Sequence, residues 1–337
     1  IKCPKCKSKM RKIPDLIDAW FDSGSMPYAQ WHWPFENKDI FKKQFPADFI
    51  VEAVDQTRGW FWSLLGISTL LGREAPFKNV LVLGHTLDEK GQKMSKSKGN
   101  FVPVMQLMDT YGSDVLRWYF LSTVAAGESK SVIPKEIEDK LKGFFFTLQN
   151  CIKFYELYRQ APSAHGEASD DLQLALSDLQ LSLLDKWLMS RLHRTIQIVT
   201  ENLDSYEVAT AGRALEQFVI EDLSNWWIRR SRKRKEALPL LRLVLLEVAK
   251  LLAPFTPFMT EDTWHRLHGG QLSISNSQFP MNEPESVHLT DWPKVIKKYI
   301  NNKLEAEMAL AREVIAKGLA ERKEKQFKVR QPLVAVM

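Results

Sequence analysis

The sequence predicts a parallel α/β unit followed by an all-α bundle. Between residues 49 and 83 two short apolar runs of strand type flank a segment of helical length. Beyond Ser129 the apolar residues change to a helical repeat. With 337 residues and 45% hydrophobic content, the chain is long enough for two or three domains with cores of their own.

Residues 49 to 54 (FIVEAV) read as a strand, Thr57 to Leu71 as a helix stopped by Gly72, and Asn79 to Leu83 (NVLVL) as a second strand. A right-handed crossover makes such strands parallel, and ligands of parallel sheets sit beyond the strands' carboxyl ends. Glu52, Asp55 and Gln56 therefore leave the first strand at the edge where Gly84 and His85 leave the second. Further on, Leu184, Leu188, Leu192, Ile196, Val199 and Leu203 mark one amphipathic helix; Val208, Ala211, Leu215, Phe218 and Leu223 mark a second. Val244, Val248, Leu251 and Phe255 mark a third, broken by Pro254 and Pro257. Polar stretches at 161 to 171 and 269 to 286 read as loops, and a charged helix is expected at roughly 294 to 325.

A net charge of +6, from 47 basic and 41 acidic residues, suits a polyanionic partner only if the excess is concentrated somewhere. Three cysteines provide no disulfide framework and point to a reducing, cytoplasmic setting. The longest apolar stretch, Trp60 to Gly72, is too short for a bilayer span, so no membrane association is expected; the chain is taken as a monomer. The opening Ile1-Lys2-Cys3-Pro4-Lys5-Cys6 lacks an initiator methionine and reads as cut from a longer chain. Cys3 and Cys6 have the spacing of half a zinc knuckle, whose other two ligands are expected upstream because Cys151 and His32 lie apart in sequence.

Two segments carry chemistry. Lys93-Met94-Ser95-Lys96-Ser97, between Gly91 and Gly99, places two lysines and two hydroxyls on a loop that glycine can hinge, equipment for gripping a polyphosphate while it reacts. By ordinary residue usage such a run arises by accident in about one chain of this length in ten thousand, which sets aside a plain solvated turn. Downstream, Arg229, Arg230, Arg232, Lys233, Arg234 and Lys235 put six cations into seven positions directly after Trp226 and Trp227. One or two cations satisfy a helix C-terminus, whereas six close together call for an anion such as RNA phosphate.

KMSKS is similar to the second signature of the class I aminoacyl-tRNA synthetases. Glu52 to Phe61 (EAVDQTRGWF) resembles the EGxDQxRGWF pattern of the isoleucyl-tRNA synthetase family, with Ala53 where glycine is expected. Asp18 to Gln30 resembles its WFDSGSMPYAQ element, and Lys328 to Leu333 (KVRQPL) its junction to a C-terminal region. NWWIRRSR and LAPFTPF resemble the anticodon-binding bundle of the isoleucyl, valyl and leucyl enzymes.

The resemblance implies the second half of a Rossmann-type catalytic domain at 1–128, a helical anticodon-binding domain at 129–290, and a charged helix and junction at 291–337. It implies activation of isoleucine by ATP, with Mg²⁺, and transfer to tRNA(Ile), with zinc in the longer protein. Lys93 and Lys96 become the catalytic pair; Asp55 meets the adenylate ribose; Glu52, Gln56, His85, Ser95 and Ser97 complete the nucleotide site. Trp20 and Trp60 become walls for a branched aliphatic side chain, and the segment from Trp226 to Lys235 a tRNA contact. The family's His-x-Gly-His signature and its editing insertion are expected before Ile1, so that the chain alone is expected to be inactive. A valyl enzyme is the alternative within the class, and a non-catalytic tRNA-binding module the alternative outside it.

Overall fold

The computed structural model describes residues 2–11, 14, 18–159, 180–268, 284–329 and 331–332. The expected loop at 161 to 171, most of that at 269 to 286, and Leu333 lie outside the described residues. The chain divides into two compact units. One comprises Ile1–Ser95 with Ala126–Val132; the other comprises Lys96–Ala125 with Ile133–Met337.

The first unit is built on a βαβ core. Strand β1 (Ala47–Ala53) pairs in parallel with β2 (Phe77–Leu83), in a register that sets Glu52 beside Val82 and Ala53 beside Leu83. Between them a 3₁₀ turn (Val54–Arg58) leads into an apolar helix (Trp60–Leu70). The helix lays Phe61 and Leu64 on Ile50 of β1, with Trp60, Phe77 and Val82 around that cluster. A preceding helix, Ala19–Ala29, packs closely on it: a Cβ added at Gly24 would stand 2.7 Å from the Ser63 carbonyl oxygen. The Tyr28 hydroxyl donates to Ser68 Oγ at 2.7 Å at the far end of the same contact. Tyr28 also joins Trp33, Phe41 and Phe45 in an aromatic cluster, with the Arg73 guanidinium 4.6 Å from the Trp33 ring centroid.

The second unit is helical. The long helix Leu183–Asp204 starts in a capping box in which the Ser182 side chain accepts from Asp185 N and Asp185 accepts from Ser182 N. Its stripe falls inside as the repeat requires, with Leu188, Leu192, Ile196 and Val199 at 0% exposure. The next helix runs without interruption through Val208–Gln217, Phe218–Ile228 and Arg229–Ser231, and its middle stretch is π-wound. Winding to five residues per bond accommodates the five-residue step from Phe218 to Leu223, both of them buried. Helices Leu238–Leu252 and Pro257–Leu267 follow, with Pro257 at the first turn of the latter, where its missing N–H costs nothing. Trp118 of the helix Ser113–Ser122 stacks on Phe144 at 4.3 Å and meets Phe255 edge-on, all three in the interior.

The charged helix is Asn302–Glu324. Its first half is fastened by Leu304, which is buried, and by ion pairs. Arg312 Nη1 donates to Asp222 Oδ1 at 2.5 Å, Arg191 Nε to Asp222 Oδ2 at 2.8 Å, and Arg191 Nη1 to Glu305 Oε2 at 3.1 Å. No helix among the described residues is long and apolar enough to cross a membrane.

Candidate functional site

The parallel register brings the chemistry-bearing residues of the first unit to one sheet edge. Glu52 is the penultimate residue of β1, and Asp55 and Gln56 lie in the turn leaving it, level with Leu83, Gly84 and His85 leaving β2. Gly84 is required by close approach: its Cβ would fall 2.3 Å from the backbone carbonyl of Glu128. Gly84 N donates to Ala126 O and Lys130 N to His85 O, so residues 84 to 87 are stitched to 126 to 132 through a short parallel pair, Thr86–Leu87 with Lys130–Ser131. That second support had no strand-like signal in the sequence.

Glu52 and Asp55 are exposed at this edge, and neither caps the helix that follows; Gln56 does. Its Oε1 accepts from Trp60 N at 3.0 Å, and its Nε2 donates to Asp55 Oδ2 at 3.1 Å. An amide carries two N–H donors, so one remains for a ligand.

Trp20 and Trp60 are brought together. Trp60 Nε1 donates to Ser23 O at 3.2 Å, and the Trp20 ring lies over Gly59, where an added Cβ would come within 2.9 Å of it. Trp60 is half-buried against the Ile50 cluster, and Trp20 is 47% exposed. The pair thus presents one covered and one open indole beside the acidic turn.

The KMSKS segment straddles the division of the chain, which falls between Ser95 and Lys96. In the first unit, Lys93 pairs with Leu87 in an antiparallel bridge and Met94 N donates to Thr86 O. The turn between them is closed by Asp88, whose Oδ1 accepts from Lys90 N and Gln92 N, with Gly91 at a φ of 74°. Lys93 is exposed there. In the second unit, Lys96 opens a 3₁₀ turn, Lys96–Lys98, followed by Gly99 at a φ of 69°. Two glycines in the left-handed region thus bracket the segment.

The basic run separates into two groups. Arg229, Arg230, Arg232, Lys233 and Lys235 are exposed, with no carboxylate in ion-pair reach among the described residues. Arg234 is a correction: it pairs with Asp185 at 2.6 Å and serves the bundle. Trp227 is a second correction. It is 1% exposed and donates through Nε1 to the same Asp185 at 2.9 Å, so it offers no face to a partner. Trp226 is half-buried, with the Arg230 guanidinium 3.2 Å from its ring centroid and that of Arg312 at 5.0 Å. Sequence reasoning missed Arg312, which lies 77 or more positions from the basic run and had no local signal.

Cys3 and Cys6 flank a tight knuckle: Lys7 N donates to Cys3 O, Cys3 N to Ser8 O, and Lys7 takes a φ of 61°. Ser8, and then Cys3, hold the exposed Cys6 thiol down to about 7, so it is part thiolate at neutral pH. Two sulfurs make half of a zinc site. Among the described residues no group of three or more His, Cys, Asp or Glu gathers as metal ligands, so the set present does not complete a tetrahedron. Cys151 is inside the bundle, where burial pushes its thiol up to about 12.

Residues 2–131 match the family of tRNA synthetases class I (I, L, M and V), and residues 185–337 match the anticodon-binding domain of tRNA ligases. In sequence the chain is similar to isoleucine–tRNA ligases. It is 41% identical to isoleucine–tRNA ligase 2 of Bacillus cereus across 99% of its own length, and 40% identical to isoleucine–tRNA ligase of Clostridium tetani across 100%. It spans 31% and 32% of those two relatives. In fold it is similar to a leucyl enzyme from Agrobacterium radiobacter solved with tRNA and LeuAMS. That match has a TM-score of 0.65 at 19% identity and covers 89% of this chain and 36% of that one. It is also similar to methionyl-tRNA synthetase of Mycobacterium tuberculosis bound by methionyl-adenylate, with a TM-score of 0.54 at 19% identity, covering 70% and 47%.

Proposed function

We propose that this chain carries the KMSKS loop and the tRNA-binding bundle of an enzyme that activates isoleucine with ATP and transfers it to tRNA(Ile). The observation that carries this proposal is identity of about 40% through the whole chain to isoleucine–tRNA ligases. The catalytic part extends to about residue 128, the anticodon-binding part from 129 to 290, and the charged helix and junction from 291 to 337. The protein acts in the cytoplasm as a monomer.

In activation, the isoleucine carboxylate attacks the α-phosphate, a P–O bond forms to the amino acid, and the P–O bond to pyrophosphate breaks. Negative charge grows on the leaving oxygens, so the ammoniums of Lys93 and Lys96 stabilise the transition state more than bound ATP. Glycines at both ends let the loop close on the phosphates and open for release. Ser95 and Ser97 shape the loop, and His85 faces the nucleotide from the end of β2. Mg²⁺ bound with ATP would supply further charge neutralisation. Asp55 accepts from the ribose hydroxyls, with Glu52 beside it; Gln56 contributes its remaining N–H and holds Trp60 and Asp55 in place. Trp20 and Trp60 enclose the isoleucine side chain between rigid apolar surfaces. Arg229, Arg230, Arg232, Lys233 and Lys235 meet tRNA phosphates. Zinc at Cys3 and Cys6 requires two ligands from elsewhere, and no step depends on it.

The test is aminoacylation by the complete enzyme carrying this chain, with isoleucine and valine compared on tRNA(Ile) and tRNA(Val). Stable charging of tRNA(Ile) with isoleucine is expected. Preferential charging of tRNA(Val) with valine would overturn the assignment.

A further inference from the structure

Between the π-wound segment Phe218–Ile228 and the charged helix Asn302–Glu324 lies a groove of about 720 Å³, lined by Trp226, Arg229 and Arg230 on one side and by Arg312, Ile315, Ala316 and Leu319 on the other. That is within the roughly 300–1,000 Å³ of sites that take small ligands. Ile315 and Leu319 are 43% and 44% exposed, an apolar wall facing arginines.

The arginines are arranged as a platform and not merely as a charge. The Arg230 guanidinium lies 3.2 Å from the Trp226 ring centroid and is tethered by Nη1 donating to Trp226 O at 3.0 Å. A guanidinium pinned flat on an indole leaves its outer face as a second aromatic-like plate, and such plates stack on unpaired bases. Burial, with Arg312 and Arg229 beside it, pushes Arg230 below its ordinary value, so the free groove holds cations in mutual repulsion that an anion relieves. Arg312 is already engaged by Asp222, whereas Arg229 has no carboxylate in ion-pair reach among the described residues. Glu221 and Glu313 also line the groove. Carboxylates repel a bare polyanion but accept hydrogen bonds from the amino groups of bases.

We propose that this groove holds one unstacked nucleotide of an RNA chain, the base lying on the Arg230 plate against Ile315, Ala316 and Leu319, and the phosphate at Arg229. The proposal rests on the reading of the bundle as RNA-binding and adds a stacking subsite to it. An acidic peptide would match the arginines but has no use for a flat plate beside an apolar wall.

The test measures the affinity of the full chain for a tRNA(Ile) transcript as a function of salt, for wild type, Ala316→Trp, Leu319→Trp, Trp226→Phe and Arg229→Ala. Thermal melting of each variant confirms that it is folded. Filling the groove with Ala316→Trp or Leu319→Trp is expected to weaken binding by about tenfold without changing the log–log salt slope. Trp226→Phe keeps a plate and stays within a few-fold of wild type. Arg229→Ala is expected to flatten the slope by about 0.7 to 0.9. Wild-type affinity in both folded groove-filling variants would overturn the groove proposal and leave RNA binding standing. Failure of the wild type to bind tRNA at all would overturn the RNA-binding reading itself. An acidic peptide of matched charge that binds as tightly as RNA, and is equally weakened by Ala316→Trp, would assign the groove to a protein partner and overturn the proposal.

Discussion

Arg234 closes on Asp185 in a two-pronged bond, Nη1 to Oδ1 at 3.1 Å and Nη2 to Oδ2 at 2.6 Å. The same carboxylate accepts from Trp227 Nε1 and from the Ser182 backbone at the start of the helix Leu183–Asp204. Burial alone would raise the Asp185 carboxyl, but Arg234, Ser182 and Trp227 outweigh it and hold the group below its ordinary value. One acid thus joins a helix start, a core tryptophan and the end of the basic run.

This relationship separates the six cations by experiment. Arg234→Ala leaves a buried carboxylate short of its main partner and is expected to lower stability by about 3 kcal/mol, with the salt slope of tRNA binding unchanged. Arg229→Ala is expected to do the reverse. Denaturant unfolding and salt titration of the two variants check this, and an unaltered midpoint for Arg234→Ala would contradict the structural role.

A second expectation concerns acid stability. His193 is fully buried, its Nδ1 accepts from Ile296 N, and its ring stacks on Tyr299; burial lowers it to about 4. The unfolded chain binds the proton below about pH 6.5 and the folded one only near pH 4, so stability falls as pH drops through that window and levels off below it. The loss is on the order of 3 kcal/mol in full. His193→Gln retains an acceptor without the titration and is expected to flatten the decline between pH 7 and pH 4. An equally steep decline in the variant would place the acid sensitivity elsewhere.

The knuckle gives a chemical readout. Cys6 is expected to alkylate with a pH midpoint near 7, and Ser8→Ala to move that midpoint up toward an ordinary thiol, because Ser8 is the largest cause of the depression. Cys151, with its thiol held protonated in the interior, is expected to stay unmodified in the folded chain. Peptide mass spectrometry after timed iodoacetamide exposure distinguishes the cysteines.

Much of this architecture is visible in local pattern. The parallel strand pair, the buried stripe of Leu188, Leu192, Ile196 and Val199, and the break at Pro254 and Pro257 follow from the crossover between the strands, from the helical period and from what proline lacks. The relations that escaped are those made across long separations. Arg234 finds Asp185 49 positions away, Arg312 finds Asp222 90 positions away, and charge counting cannot tell a paired arginine from a free one. Trp226 and Trp227 are adjacent in sequence yet one lies against arginines and the other is interior, because successive residues point to different sides of the helix. Gln56 likewise read as a ligand group, and its use as the helix cap appears only in the folded turn.

Trp60→Ala in the complete enzyme is expected to raise the KM for isoleucine by at least ~10-fold while that for ATP changes little, with Trp60→Phe in between. Steady-state exchange kinetics with each substrate varied in turn check it. Equal changes for both substrates would make Trp60 a packing residue of the Ile50 cluster alone.

The most direct test of the account is isoleucine-dependent ATP–pyrophosphate exchange by the complete enzyme, wild type against Lys96→Ala. The ammonium acts on the leaving pyrophosphate in the transition state, so kcat is expected to fall by about 10²- to 10³-fold with the KM for ATP nearly unchanged. A wild-type kcat in Lys96→Ala, with only the KM for ATP raised, would contradict the catalytic role assigned to the KMSKS loop.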